Sequence, residues 1–176
     1  MTEGVVPPSH LLSIGEVLWG ICLIAVTMAI HAFGMLMTLA ASEGLWRRWP
    51  PRSGVFAGVR VLILASWIIV LVHLVEVIVW ACFLVWRDAI PSTSDAFYFT
   101  LLQYVTVGSD LNLPERWRLL GGMIAMAGLL TFAWSTTVLL TLAQRFEDAQ
   151  LRSHRRDRRA TGAGDSAPSP IDARDA

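Results

Sequence analysis

The sequence predicts an all-α membrane protein with three transmembrane helices and one short re-entrant segment. The chain has 176 residues, of which 55% are hydrophobic and 16% are charged. This apolar share is larger than soluble domains usually have. Three apolar runs reach the roughly 20 residues that a helix needs to cross the bilayer core, and a fourth run of about 12 residues does not.

The three long runs define the predicted spans and divide the chain. Residues 14–41 form the first span, residues 59–86 the second and residues 117–143 the third. No arginine or lysine precedes the first run. That run is also longer than the apolar region of a signal peptide, so we predict a permanent span. Residues 1–13 then form a short extracytoplasmic N-terminus.

The short run "SDAFYFTLLQYV" is predicted as a helix over residues 94–105, with Ser94 as its N-cap and Asp95 in its first turn. Such a helix is about 18 Å long, which is too short to cross a membrane. The chain then turns at Gly108 and leaves on the side from which it entered. Non-helical backbone at membrane depth must be buried in protein or line water. The turn at residues 106–110 is therefore the first indication of a pore.

The arginines predict the orientation of the chain. They cluster in the loop at residues 42–58 and in the tail at residues 144–176, whereas the N-terminus has none. The positive-inside rule places that loop and the C-terminus in the cytoplasm. The basic run "LRSHRRDRRA" attracts anionic lipid or, as we favour, anchors the topology ahead of a disordered tail. Nothing in the chain predicts a nucleic-acid partner.

Glu76 is the most costly residue to place in lipid, at about 2.5–3.5 kcal/mol at a helix centre. It lies 16 residues after Arg60, or about 24 Å above the inner side at helical rise. That is the depth of the predicted turn. Glu76 is therefore predicted to sit behind the short helix and to bond to residues 103–110. With His73 and Tyr104 it is a candidate support for the turn or a pH-sensing element.

Two other interpretations of Glu76 and His73 stay open. The pair joins two helices by hydrogen bonds, or it forms a metal or haem site together with His31. His31 lies in the inner half of the first span and is expected well below the other two. We therefore predict no metal and no cofactor. The cysteines Cys22 and Cys82 lie in apolar segments, without the spacing of a zinc site. The sequence shows no nucleophile–base pair, so we do not predict an enzyme.

Four segments carry a family resemblance in chain order. They are "HLVEVIVWA" at 73–81, "DAFYFTLLQYVTVG" at 95–108, "LPERWRLLGG" at 113–122 and "FAWSTTVLLTL" at 132–142. Residues 59–143 resemble the pore module of the potassium-channel superfamily. More narrowly, they are similar to small bacterial ion-channel or two-pore-domain-like potassium-channel proteins. The resemblance implies a homotetrameric pore-loop channel in a bacterial inner membrane.

The same resemblance implies a selectivity filter. Its residues are Thr106, Val107, Gly108, Ser109 and Asp110. Backbone carbonyls of the first three would replace the hydration shell of K⁺ or Na⁺. The superfamily has Tyr-Gly-Asp after its first filter glycine, whereas this chain has Ser-Asp, so potassium selectivity is not carried over. Asp110 either contributes to a ring of four carboxylates at the pore mouth or is a solvated turn residue.

The third span supplies the remaining candidates. The hydroxyls of Thr131, Ser135 and Thr136 are predicted to line an inner cavity or to bond within and between helices. Gly122 and Gly128 are predicted as hinges or as close-packing positions. The sequence thus predicts a homotetrameric channel for monovalent cations. The alternative is a non-conducting regulatory or structural membrane protein on the same scaffold.

Overall fold

The computed structural model describes residues 14–48 and 55–165, and this part of the chain is helical with no β-strand. The helices are α1 Ile14–Arg48, α2 Val55–Trp86, α3 Thr93–Tyr104 and α4 Arg118–Asp165, with a single 3₁₀ turn at Glu115–Trp117. Three of them are long and apolar enough to cross a membrane. The protein is therefore an all-α, multi-pass membrane protein. The predicted N-terminal segment 1–13, residues 49–54 of the basic loop and residues 166–176 lie outside the described residues.

Two helices are longer than the spans predicted from hydropathy. α1 ends at Arg48 instead of residue 41, and α4 continues to Asp165 instead of residue 143. Hydropathy locates the lipid-embedded part only, whereas Ala, Gln, Glu and Arg continue a helix readily in water. Glu43 on α1 and Arg145 on α4 lie 3.7 Å apart in this extension. Helix α4 thus extends past the basic cluster to Asp165, into the segment where the sequence predicted a disordered tail.

The cap of α3 also differs from the prediction. The Ser92 hydroxyl accepts a hydrogen bond from the Asp95 amide at 3.3 Å, so Ser92 caps the helix and Ser94 lies in its first turn. Ser92, Thr93 and Ser94 are consecutive hydroxyl residues. Any of them serves as an N-cap, and the sequence alone does not choose between them.

Helices α2 and α4 pack against α3, and α1 packs against α2 and α4. The buried side chains of α3, Ala96, Phe99, Thr100 and Tyr104, face α2 and α4. At the end of the bundle where α1 begins, Trp19 packs against Phe83 of α2 with ring centroids 5.4 Å apart. The Glu16 carboxylate accepts a hydrogen bond from the Leu119 amide at 2.6 Å. This contact satisfies one free N–H at the start of α4 with a favourable negative charge, and it ties α1 to α4.

Candidate functional site

The loop after α3 begins with a Schellman-type helix end. The amide of Thr106 donates to the Gln103 carbonyl at 2.9 Å, and the amide of Val107 donates to the Leu102 carbonyl at 2.9 Å. Gly108 also donates to Leu102, at 3.3 Å. These bonds satisfy carbonyls that a helix end would otherwise leave free. The amides of the first three loop residues, Thr106, Val107 and Gly108, therefore point back towards the end of α3.

The carbonyls of this loop have no such partner. In the described part of the chain, no backbone amide donates to the carbonyl of Thr106, Val107 or Gly108. The Val107 side chain is 72% exposed in the single subunit. Three consecutive carbonyl oxygens are thus available to coordinate a cation.

Thr106 adopts an unfavourable backbone conformation. Its φ of +62° lies in the left-handed region, as does the φ of +83° at Gly108. Glycine adopts this region freely, whereas a β-branched residue rarely does. The left-handed position just after the cap of a Schellman motif, which Thr106 occupies, usually carries glycine, so threonine here costs free energy.

Ser109 and Asp110 complete the turn. The Ser109 hydroxyl accepts a hydrogen bond from the Leu111 amide at 3.2 Å, which is a local serine turn. Asp110 is exposed in the single subunit. Their predicted part in a filter stays a prediction, because a single subunit encloses no axial path.

Behind the loop, all four helices contribute to one buried polar cluster. Its members are His31 of α1, His73 and Glu76 of α2, Tyr104 of α3, and Thr131 and Ser135 of α4. All six side chains count as buried, with His73 the most exposed at 8%. Buried polar groups of this kind are expected to be hydrogen-bonded to one another.

The Glu76 carboxylate lies at the centre of this buried polar cluster. One of its oxygens is 2.9 Å from Nδ1 of His31, and the other accepts a hydrogen bond from the Tyr104 hydroxyl. The His73 Nδ1 lies 2.9 Å from the Tyr104 oxygen and 3.5 Å from the second carboxylate oxygen. The structure therefore brings together the predicted trio of Glu76, His73 and Tyr104.

Ser135 lies on the far side of the two imidazoles. Its hydroxyl is 3.1 Å from Nε2 of His73 and 3.3 Å from Nε2 of His31. Thr131, one turn earlier on α4, lies 2.6 Å from the Tyr104 oxygen. The hydroxyls of α4 thus close the cluster on the side that faces α4.

The expected depth of His31 is wrong. Trp19 of α1 and Phe83 of α2 pack together near one end of the two helices, and these antiparallel helices advance equally from that contact. His31, twelve residues further along α1, therefore lies beside residues 73–76 rather than below them. The sequence argument treated the whole α1 run as lipid-embedded and so placed His31 too deep.

Two predicted cavity residues also change role. Thr131 is 0% and Ser135 is 4% exposed within one subunit. A side chain buried inside a subunit cannot line a cavity between subunits, so this interpretation is wrong for both. Thr136 is exposed, with its hydroxyl donating to the Phe132 carbonyl at 2.8 Å. Its place in a cavity stays a prediction.

The two candidate hinge glycines have different surroundings. A Cβ at Gly128 would overlap with the carbonyl oxygen of Tyr104, whereas a Cβ at Gly122 would meet nothing within 4 Å. Both lie in the continuous helix α4. Gly128 is therefore a close-packing position that lets α4 approach the C-terminal end of α3.

Sequence reasoning missed the roles of His31, Ser135 and Thr131 in this buried polar cluster. One signal was present, since Thr131 and Ser135 are four residues apart and share a helix face. That spacing does not say which neighbour the face meets. Among the described residues, His31, His73 and Glu76 also form a group whose potential metal-ligand atoms all lie within 4.8 Å of one another.

Comparison with known proteins locates the same part of the chain. Residues 63–145 match the family model Ion_trans_2, which is described as "Ion channel". The matched segment contains most of α2, all of α3 and the loop, and α4 to Arg145. No curated protein and no solved structure matches the chain.

Proposed function

From the match of residues 63–145 to the ion-channel family model, we propose that the protein is a homotetrameric channel for monovalent cations. The proposed location is a bacterial inner membrane, with the C-terminus in the cytoplasm. K⁺ and Na⁺ are the proposed permeant ions, and potassium selectivity is not part of the proposal. The alternative is a non-conducting regulatory or structural membrane protein with the same fold.

The observation that carries this proposal is the state of the loop backbone. The amides of Thr106, Val107 and Gly108 are used by the end of α3, while their carbonyls accept no backbone hydrogen bond in the described residues. Free carbonyls at membrane depth are tolerated where they line a water-filled path. Rings of such carbonyls replace the hydration shell of a permeating cation.

Assembly around an axis completes the site that one subunit leaves open. The C-terminal end of α3 carries a partial negative charge of about half a unit. Four such ends around one axis attract a cation where it loses water. Exposed Asp110 would add a ring of carboxylates at the mouth, and such rings favour cations.

The buried polar cluster has a supporting role in this proposal. Tyr104 is the last residue of α3, and its hydroxyl contacts Glu76, His73 and Thr131. This side chain ties the start of the loop to α2 and α4. Glu76 and His73 are thus positioning residues that hold the loop rather than ligands of the ion.

Anionic lipid is a proposed partner at the cytoplasmic end. Trp46 of α1 lines a groove there together with Arg145 and Arg152 of α4. Arginines beside the membrane attract anionic headgroups by about 1 kcal/mol each. The same residues anchor the orientation of the helices.

The first experiment measures assembly and flux on one sample. The full chain is purified in nanodiscs, its mass is determined, and flux in liposomes is recorded for K⁺, Na⁺ and N-methyl-D-glucamine. We expect a tetramer that passes the two small cations and excludes the large organic one. A monomer overturns the proposal, and a tetramer without flux selects the non-conducting alternative.

The Asp110→Asn variant tests the proposed carboxylate ring. Loss of four charges at the mouth lowers the local cation concentration, so we expect a roughly twofold to threefold lower K⁺ flux at low salt. The difference should disappear at 1 M salt, where charges are screened beyond about 3 Å. Asp95→Asn, at the exposed start of α3, is the matched control with unchanged flux. Equal flux in Asp110→Asn and the wild type at low salt would rule out the ring.

A further inference from the structure

We propose that His31, His73 and Glu76 bind one divalent transition-metal ion within each subunit, and that zinc is the ion whose preferences fit best. All three residues are buried. They come from α1 and α2, with Tyr104 of α3 as a neighbour. This inference does not depend on conduction, since it concerns a site inside one subunit.

The donor atoms converge on one point. The potential ligand atoms all lie within 4.8 Å of one another. Nδ1 of His31 lies 2.9 Å from one carboxylate oxygen, and Nδ1 of His73 lies 3.5 Å from the other. Zinc binds imidazole nitrogen and carboxylate oxygen at about 2.0–2.2 Å. Side-chain adjustments within the cluster would bring three donors to that distance.

The donor types select the class of ion. Two imidazoles with one carboxylate suit zinc and similar divalent transition metals, whereas magnesium and calcium prefer oxygen donors alone. The negative charge of Glu76 offsets part of the ion's charge in the membrane interior. The Tyr104 oxygen, 2.9 Å from Nδ1 of His73, is placed to be a fourth ligand.

Ser135 contacts both imidazole rings on the side away from Glu76. Its single hydroxyl lies between the Nε2 atoms of His73 and His31, at 3.1 and 3.3 Å. A hydroxyl has two acceptor lone pairs and one hydrogen. It serves both Nε2 atoms when each ring carries its hydrogen there, and also when only one ring does, since it then accepts from one Nε2 and donates to the other.

The tautomer with a hydrogen on each Nε2 turns the lone pairs of both Nδ1 atoms towards the Glu76 carboxylate. Lone pairs facing a carboxylate repel it unless a cation lies between them. Metal-binding histidines commonly bind through one ring nitrogen and donate from the other to an outer partner. Ser135 fits the place of that outer partner for both rings.

The competing occupant of the cluster is a proton. A mixed tautomer needs no added cation: Nδ1–H of His31 donates to Glu76, the Ser135 hydroxyl donates to Nε2 of His31, and Nε2–H of His73 donates to Ser135. One additional proton on a ring also completes the network, as a histidinium–carboxylate pair. The convergence of both Nδ1 atoms and the Tyr104 oxygen on one carboxylate favours the metal, and an experiment on wild-type protein separates the two.

The test starts with the metal content of the full chain purified from cells grown with zinc. Mass spectrometry of the elements should give about one zinc ion per subunit after desalting, in keeping with a single closed site. X-ray absorption should show nitrogen and oxygen neighbours at about 2.0–2.1 Å. This measurement needs no variant, so the test does not depend on variants that fold poorly.

Variants then locate the ion. We expect zinc to fall more than tenfold in His31→Gln and Glu76→Gln. The affinity should fall roughly 10–100-fold in Ser135→Ala, which removes an outer partner. His154→Gln, a histidine 19 residues after Ser135 on the same helix, is the matched control and should retain the full content. Size-exclusion chromatography shows which variants are folded.

Three results overturn the proposal. The first is wild-type protein that holds no zinc after incubation with the metal alone. The second is zinc that persists in folded His31→Gln, which would place the ion elsewhere. The third is a ¹⁵N spectrum of zinc-treated protein in which Nδ1 of His31 or of His73 carries hydrogen, since a protonated nitrogen cannot bind the ion.

Discussion

The buried polar cluster and the loop are two residues apart on the chain and differ in almost every physical respect. Tyr104, within the cluster, is 1% exposed, whereas Val107 in the loop is 72% exposed in the single subunit. The cluster joins four helices through side chains that contact one another. The loop leaves three carbonyls without a backbone donor in the described residues. The cluster is therefore satisfied within one chain, whereas completion of the loop by further copies belongs to the proposed assembly.

This difference separates stability from conduction. Groups that are satisfied inside one subunit contribute to its folding free energy. Groups that are unsatisfied there contribute only after assembly. Changes in the cluster should therefore act on the unfolding of the subunit, while changes in the loop should act weakly on unfolding.

The largest expected effect follows from Glu76→Ala. The change leaves His31, His73 and Tyr104 facing an empty position, and loss of one partner from a buried ionic network costs about 3–5 kcal/mol. Unfolding of the subunit in mixed micelles, followed by circular dichroism against the fraction of denaturing detergent, measures the loss.

The matched control is Glu43→Ala. Glu43 also lies on a helix, but its contact with Arg145 at 3.7 Å involves side chains that are half exposed or more. Exposed pairs contribute about 0–1 kcal/mol. Equal losses in the two variants would contradict the central place that Glu76 has in the cluster.

A smaller effect is expected where the cluster meets the loop, at Gly128. In Gly128→Ala the new methyl group overlaps with the Tyr104 carbonyl oxygen, and both α3 and α4 must shift. Overpacking of this kind costs about 1–3 kcal/mol. The same unfolding measurement, together with liposome flux, reports the cost and any disturbance of the loop.

Gly122→Ala is the control for this prediction, because a Cβ there meets nothing within 4 Å. Its helix propensity alone predicts a gain of up to about 1 kcal/mol. Opposite signs for the two variants indicate packing at Gly128. A loss of flux in both variants without a change in stability would restore the hinge interpretation.

Much of this arrangement was predictable from the sequence, and the parts that were not have physical causes. Apolar run length predicted the three spans, and helical rise predicted that Glu76 lies near residues 103–110. The prediction that Thr131 and Ser135 line a cavity failed, because a hydroxyl that faces another helix has the same sequence pattern as one that faces water. Depth failed for His31, because hydropathy does not say where along a long apolar helix the lipid begins.

The backbone of the loop was the least predictable feature, since the residue at position 106 opposes its own conformation. Threonine disfavours positive φ, so propensity alone gives no reason to expect a left-handed residue before Gly108. Helix-end hydrogen bonds with the carbonyls of Leu102 and Gln103 hold it there. Local preference is overruled by the geometry that the end of α3 imposes.

The smallest expected effect comes from Thr106→Gly, and its sign is opposite to that of the cluster variants. Glycine removes the cost of the left-handed conformation, about 1–2 kcal/mol, while the freer unfolded chain offsets roughly 0.5–1 kcal/mol of that gain. The net expectation is a stabilised subunit, measured by the same detergent titration.

Thr106→Ala, which keeps a Cβ at φ +62°, should gain little. Gly108→Ala should lose stability, because its φ of +83° is also left-handed. A Cβ there meets no neighbour, so the loss would come from the backbone conformation and not from a steric clash. A destabilised Thr106→Gly would mean that the threonine side chain, rather than the helix end, determines the loop, and the contrast between a self-sufficient cluster and an incomplete loop would then fail at its boundary.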